Sequence, residues 1–332
     1  MLPKNRRAIA NFVLDHLVWF MLAVVLLAFS IFVPNFAQIG IFANIIEQST
    51  YVGVMAVGLA IVIIAGKMDL SVESVAAFTA MITGILFCAR GIGLNYVPAP
   101  EWLVVPLSLV IALTVGGVLG WLNGWLSVKL KMDAFIVTLA SYIWVRGLVV
   151  AISGGRSAQE LSPSLRALGI ETPFYVPFTA VIAILIFVFF TLVMRATPFG
   201  RHITMIGGNA IATFRAGIKV DQLMIWTFVL AGAIAGLAGW LLAIRTSGAT
   251  ANLGTGMLFN AFAAVVIGGV SLKGGVGRLP GVYAGVLLLS SIHTAINLMG
   301  LPAHYTQMIL GFLVLAAVMI DTLKLQIRQK FT

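Results

Sequence analysis

The chain has 332 residues, of which 61% are hydrophobic and only 9% charged, and it carries a formal net charge of +10. Soluble domains are about 25% charged, so a water-covered globule of this size is excluded and a polytopic membrane protein is indicated. The single cysteine, Cys88, lies inside an apolar run, which excludes a disulfide framework and a cysteine-based metal set.

The first apolar run, 17–33, follows Lys4, Arg6 and Arg7, as the core of a secretory signal would. It is longer than a typical signal core of about 7–15 residues and has no small-x-small cleavage site before Pro34, so a retained helix is expected. Further spanning segments are expected near 48–65, 72–89, 102–128, 134–152, 176–194, 223–244, 258–272, 281–298 and 305–320, which makes ten. The eighth, around "MLFNAFAAVVIGGVSL", holds an asparagine and two glycines and also reads as a re-entrant turn.

Basic residues of short loops stay on the cytoplasmic side, and this tests the eighth segment. With ten crossings and the N-terminus inside, fifteen of the twenty basic residues fall inside: Lys4, Arg6, Arg7, Lys67, Lys129, Lys131, Arg195, Arg201, Arg215, Lys219, Lys273, Arg278, Lys324, Arg328 and Lys330. Arg90, Arg156, Arg166 and Arg245 fall outside, and Arg146 lies within a helix. A re-entrant eighth segment would put Lys324, Arg328 and Lys330 outside. The expectation is therefore an all-α polytopic membrane protein of about ten transmembrane helices, with both termini cytoplasmic and one domain over 1–332. The positive charge then reflects topology and contact with anionic membrane lipids, with no nucleic acid as partner.

Small residues at four-residue spacing let helices approach closely. Gly116, Gly120 and Gly124 form such a ladder, and Gly232 with Gly236 and Gly281 with Gly285 repeat the spacing. Phosphate-loop chemistry is not encoded, because Gly66-Lys67 is followed by Met68 and Ile61 stands where the loop's first glycine belongs. His16, His202, His293 and His304 are scattered without metal-ligand spacing, so neither a metal nor a cofactor is expected in this chain and no catalytic residues are assigned.

The charged candidates within segments are Glu73 and Arg146. Glu73 stands near a helix start, where its charge suits the N-terminal dipole. Arg146 lies about 20 Å along its helix from Asp133 and could snorkel outward, bond a neighbouring carbonyl, or face a pathway. In the turn 66–71, Asp69 followed by Ser71 could cap the third segment and accept its free amides, or belong to the translocation pathway or its gate. Asn123, Ser141, Asn260 and His293 could line a passage or bond neighbouring helices.

The stretches "AGKMDLSVESVAAFTA" (65–80), "AFIVTLASYIWVRG" (134–147), "FGRHITMIGGNAIATFRAGI" (199–218), "FNAFAAVVIGGVSLKGGVGRLPG" (259–281) and "YTQMILGFLVLAAVMID" (305–321) resemble the permeases of ribose-type ABC sugar importers. They occur in that family's order and cover nearly the whole chain. The resemblance implies a permease of the bacterial inner membrane, paired with a second copy or a close homologue. It also implies an ATP-binding subunit beneath, which holds the ATP and magnesium, and a periplasmic sugar-binding protein above. The chain departs from the family pattern at Lys67 and Glu73, where glycines are usual, and at Asp133, where proline is usual.

An importer of this kind receives its ATPase's motion through a cytoplasmic surface, and 195–222 is the longest internal loop on that side. Within it, Asn209 is suited to cap a short helix and Gly217 to end it. Ile211 and Phe214 share a face, with Ala212 between them and Arg215 one position further round, while Gly207 and Gly208 allow a tight entry. Such a knob could dock in a groove, or the loop could be a solvated basic segment that enforces topology. The solute implied is a monosaccharide or related polyol. The rival classes are an ion-coupled carrier, which would need buried carboxylates, and an intramembrane enzyme, which would need a dyad or a metal set.

Overall fold

A computed structural model describes residues 16–94, 99–170 and 177–302, together with 304–305, 307–309, 311–313, 315–316 and 319, which are helical. Lys4, Arg6, Arg7, Lys324, Arg328 and Lys330 lie outside the described residues, as does part of the expected tenth segment. The elements run α1 (Leu17–Phe32), α2 (Ile39–Ile64), α3 (Val72–Phe87), β1 (Cys88–Gly91), α4 (Glu101–Lys129), α5 (Ala134–Ser153), β2 (Ala158–Leu161), α6 (Pro163–Ile170) and α7 (Phe178–Ala196). They continue with α8 (Pro198–Arg215), α9 (Val220–Thr246), β3 (Gly248–Ala249), α10 (Met257–Ile267) and α11 (Leu279–Leu298).

Among the described residues six helices, α2, α4, α5, α7, α9 and α11, are long and apolar enough to cross a membrane. The chain is a multi-pass, mainly helical membrane protein. Its centre is α2, in which every residue from Gly53 to Ile64 is buried. Helices α9 and α11 pack on α2, and α9 also packs on α4 and α3. By contrast α4, α5 and α7 expose large apolar side chains such as Val118, Trp121, Ile136, Ile143, Leu185 and Phe189, which suits contact with lipid or another apolar surface.

The glycine ladders meet. A Cβ at Gly116 would stand 2.2 Å from the Gly232 carbonyl oxygen, and one at Gly232 would stand 2.3 Å from the Gly116 oxygen. The spacing recognisable on each helix separately is therefore one interface between α4 and α9, at a separation that only hydrogen side chains permit.

The second segment starts earlier than hydropathy suggests, because Asn44, Glu47 and Gln48 interrupt the apolar pattern without breaking the helix. Glu47 is held there by Arg245 at 2.6 Å. Three short strands also depart from the all-α expectation. They form an antiparallel sheet in the order β1-β2-β3, with Cys88 opposite Leu161 and Ala158 opposite Ala249. These residues extend connecting loops, and pairing satisfies backbone groups that the flanking helices leave free.

Helix α10 has 11 residues, about 16 Å of rise, and cannot cross a bilayer core of about 30 Å alone. The chain nevertheless passes from one end of the protein to the other here. Gly248 belongs to the sheet, whereas the Gly275 N–H donates to the Ile64 carbonyl at the far end of α2. An irregular stretch, 250–256, precedes α10, and a glycine-rich turn follows it. The eighth segment is thus a half-length helix continued by irregular backbone.

Candidate functional site

At the end of the protein opposite the sheet, Pro198 opens α8 and the Thr197 hydroxyl accepts from the Gly200 N–H. Asn209 then takes an extended conformation, φ −160° and ψ 97°, which divides α8 into two helices. Its Oδ1 accepts from the Ala212 N–H at 2.9 Å, as an N-cap does, and Gly217 ends the second piece at φ +82°. Thr213 is turned inward, while Ile211 and Phe214 are 69% and 70% exposed. A short capped helix therefore presents two apolar side chains outward, with Arg215 exposed beside them.

Of the two glycines expected to allow a tight entry, Gly207 makes the close approach and Gly208 does not. Neither has a positive φ, and both are helical. A Cβ at Gly207 would stand 1.8 Å from the Ile64 carbonyl oxygen and 2.5 Å from the Gly275 nitrogen, whereas one at Gly208 would meet nothing within 4 Å. The backbones of helix α8 at Gly207 and of two turns, at Gly66 and Gly274-Gly275, meet at this point. The requirement for glycine at 207 is close approach.

Beside this junction, Asp69 is buried, and its Oδ1 accepts from the Ser71 N–H at 2.9 Å and the Ser71 hydroxyl at 2.6 Å. It does not accept the free amides of α3 as expected, because the carboxylate folds back onto Ser71 at the helix start. The Asn123 amide donates to the Ser71 hydroxyl at 2.9 Å, and the Ser141 hydroxyl donates to Asn123 Oδ1. One polar chain thus links the 66–71 turn to α4 and α5. Asp69 Oδ2 has no hydrogen-bond partner among the described residues, and burial pushes this carboxyl above its usual range, partly offset by the bonds from Ser71.

Further along α5, Arg146 donates to Glu73 at 2.8 Å and to the carbonyls of Ala251 and Leu253 at 3.3 and 3.1 Å. Glu73 also accepts from the Tyr142 hydroxyl at 3.3 Å and from the Leu258 N–H, at the start of α10, at 2.9 Å. The acid therefore serves the N-terminus of a helix 185 residues away in sequence. Arg146 bonds carbonyls, one of the options open from sequence, but its pairing with Glu73 was not read from the sequence. The signal was the presence of two charged residues of opposite sign within apolar segments. Asn260 and His293 are half-buried, and among the described residues their side chains make no hydrogen bond to either network. Asp133 caps α5 by accepting from the Phe135 N–H at 2.9 Å.

Residues 41–318 match the family described as branched-chain amino acid transport system / permease component. The chain is similar to the ribose import permease protein RbsC of Escherichia coli strain K12, at 33% identity over 295 residues and 88% of each chain. It is 33% identical over 310 residues to the L-arabinose transport system permease protein AraH of the same strain, covering 91% of this chain and 88% of that one. It is also 33% identical over 306 residues to RbsC of Bacillus subtilis strain 168, covering 91% of both. No solved structure matches the chain.

Proposed function

The chain belongs to this family of transport-system permease components, and from that premise we propose that it is the membrane-spanning subunit of an ATP-binding-cassette importer for a monosaccharide or related polyol. It lies in the bacterial inner membrane with ten crossings and both termini in the cytoplasm. A periplasmic binding protein delivers the sugar at the sheet end, and a second permease copy or close homologue completes the passage. ATP and magnesium belong to a separate ATP-binding subunit at the opposite end. Relatives named for ribose import and for L-arabinose transport support the solute class.

The observation that carries the mechanism is the capped helix after Asn209. Two large apolar side chains exposed on a short, rigid helix, with an arginine beside them, form an anchor of the kind that dominates protein interfaces. The same α8 touches α2 and the 274–275 turn through Gly207. A displacement of the docked helix is thereby passed to α2 and α11 without an intervening flexible linker. Gly207, Gly208, Asn209, Ile211, Ala212, Phe214, Arg215 and Gly217 are the coupling residues in this reading. Asp69, Ser71, Asn123 and Ser141 hold the adjoining turn, and Arg146, Asn260 and His293 belong to the pathway.

Reconstitution of the permease with its ATP-binding subunit and binding protein tests the proposal. ATP-dependent uptake of D-ribose or L-arabinose is expected. Uptake driven by an ion gradient without the ATP-binding subunit would overturn it in favour of a secondary carrier.

A further inference from the structure

Glu73 and Arg146 are the charged side chains carried within α3 and α5. Their ion pair could act purely as an internal strut, but three features place it at a wetted wall. Arg146 keeps 19% of its side chain exposed while Glu73 keeps 1%, so the pair reaches the surface of the single chain through its cation. The exposed Ile143 and Gly147 beside it show only that this face of α5 is not packed within the single chain. A guanidinium facing hydrocarbon at this depth is costly, because Arg146 is 12 residues, about 18 Å, beyond Ala134 on a helix of 20 residues.

The second feature is the backbone beside it. Residues 250–256 are irregular, with exposed Asn252 and Thr255, and they lie where α10 begins partway through the protein. Irregular backbone at such a depth is tolerated against protein or water, not against lipid.

The third is the hydrogen-bond inventory. Glu73 receives three donors, from Arg146, Tyr142 and Leu258. Arg146 uses three N–H groups on Glu73, Ala251 and Leu253, which leaves two of a guanidinium's five without a partner among the described residues. The Tyr142 oxygen, having donated, keeps acceptor capacity. The cluster is electrically neutral, yet it retains donors and an acceptor beside the polar Asn252 and Thr255.

We infer that Arg146 and Tyr142, held by Glu73 and joined by Asn252 and Thr255, are a contact site for the hydroxyl groups of an uncharged polyol on the wall of the passage. A hydroxyl both donates and accepts, so it can meet the free guanidinium N–H and the phenolic oxygen together. The internal ion pair means that no net charge attracts ions to the site. This rests on the import reading above and deepens it by assigning residues that touch the solute and help select it. Glu73 is a positioning residue here, since both of its carboxylate oxygens already hold protein donors.

The test uses the full complex in proteoliposomes, with D-ribose and L-arabinose as probes. Thr255→Cys and, as the reference on the exposed face of α7, Val188→Cys are made in a Cys88→Ala chain and treated with a charged methanethiosulfonate. Thr255→Cys is expected to react at least about tenfold faster, since a water-exposed thiol forms its reactive thiolate and a lipid-facing one does not. Tyr142→Phe and Arg146→Lys, each keeping the bulk or charge needed for packing, are expected to shift the ratio of arabinose to ribose uptake by about two- to tenfold. ATP hydrolysis should be retained. Equal labelling of Thr255→Cys and Val188→Cys, or an unchanged sugar ratio in both variants, would overturn the inference. Absence of ATP-dependent uptake of either sugar by the unsubstituted complex would instead sink the import reading, and the labelling contrast is independent of that result.

Discussion

Gly207 lies so close to Ile64 that a single methyl group on it would collide with the Ile64 carbonyl oxygen, at 1.8 Å. That oxygen already accepts the Gly275 N–H at 2.8 Å. Gly207→Ala must therefore part the junction between α8, α2 and the turn before α11. The expected result is a permease that inserts normally but loses most ATP-coupled uptake. Gly208→Ala, whose added Cβ meets nothing within 4 Å, should retain uptake, because Gly208 serves the coupling segment through its backbone and not through the absence of a side chain. Equal behaviour of the two variants would show that the junction is not part of coupling.

The exposed pair on the capped helix makes a second prediction. Phe214→Asp places a charge on the proposed anchor while leaving the membrane helices intact. The ATP-binding subunit should dissociate, or hydrolyse ATP without solute uptake, as scored by co-purification and transport. Lys219→Ala serves as the control, because Lys219 makes no side-chain capping bond at the start of α9. Full uptake by Phe214→Asp would leave this loop with a topological role alone.

Asp69 provides a comparison of two substitutions. Asp69→Ala removes the acceptor of the buried Ser71 hydroxyl and should lower stability by about 1–3 kcal/mol. Asp69→Asn keeps an acceptor at Oδ1 and removes a carboxyl whose ionised form burial disfavours, so it should be clearly the more stable of the two. Thermal unfolding in detergent near neutral pH measures the difference, and a melting temperature for Asp69→Asn at or below that of Asp69→Ala would contradict it.

The α4–α9 interface is similarly direct. Gly232→Val introduces three carbon atoms where the first would stand 2.3 Å from the Gly116 oxygen. The helices must separate, at a cost of about 1–3 kcal/mol or more. Val118→Ala, on the exposed face of the same α4, should be nearly silent in the same melting assay.

Topology is tested by single cysteines in the Cys88→Ala chain. A cysteine at Lys273 should be labelled only from the cytoplasmic side and one at Arg156 only from the periplasmic side. Labelling of position 273 from outside would break the ten-crossing assignment.

Several features were legible because their causes are local. Apolar runs set the helices, since each backbone hydrogen bond in a membrane must be satisfied within its own segment. Asn209 and Gly217 mark the short helix because a cap needs only residues three or four positions away. The start of α2 was misjudged because hydropathy registers Glu47 as an interruption, while its partner Arg245 is distant in sequence. The strands were missed for a related reason: Cys88–Gly91 gains its pairing from Ala158–Leu161, and nothing in the four residues themselves announces it.

By itself the sequence determined the membrane class, the order of most spanning segments, the capped helix and the family resemblance. It also showed Gly116 and Gly232 as members of close-packing motifs. Tertiary structure alone decided that those two glycines face each other and that Gly207 meets Ile64. It also decided that Glu73 joins Arg146 to the start of α10. The division follows from range: propensity, capping and hydropathy act within a few residues along the chain, whereas partners for a buried charge or a bare backbone are chosen by which distant segments the packed helices bring together.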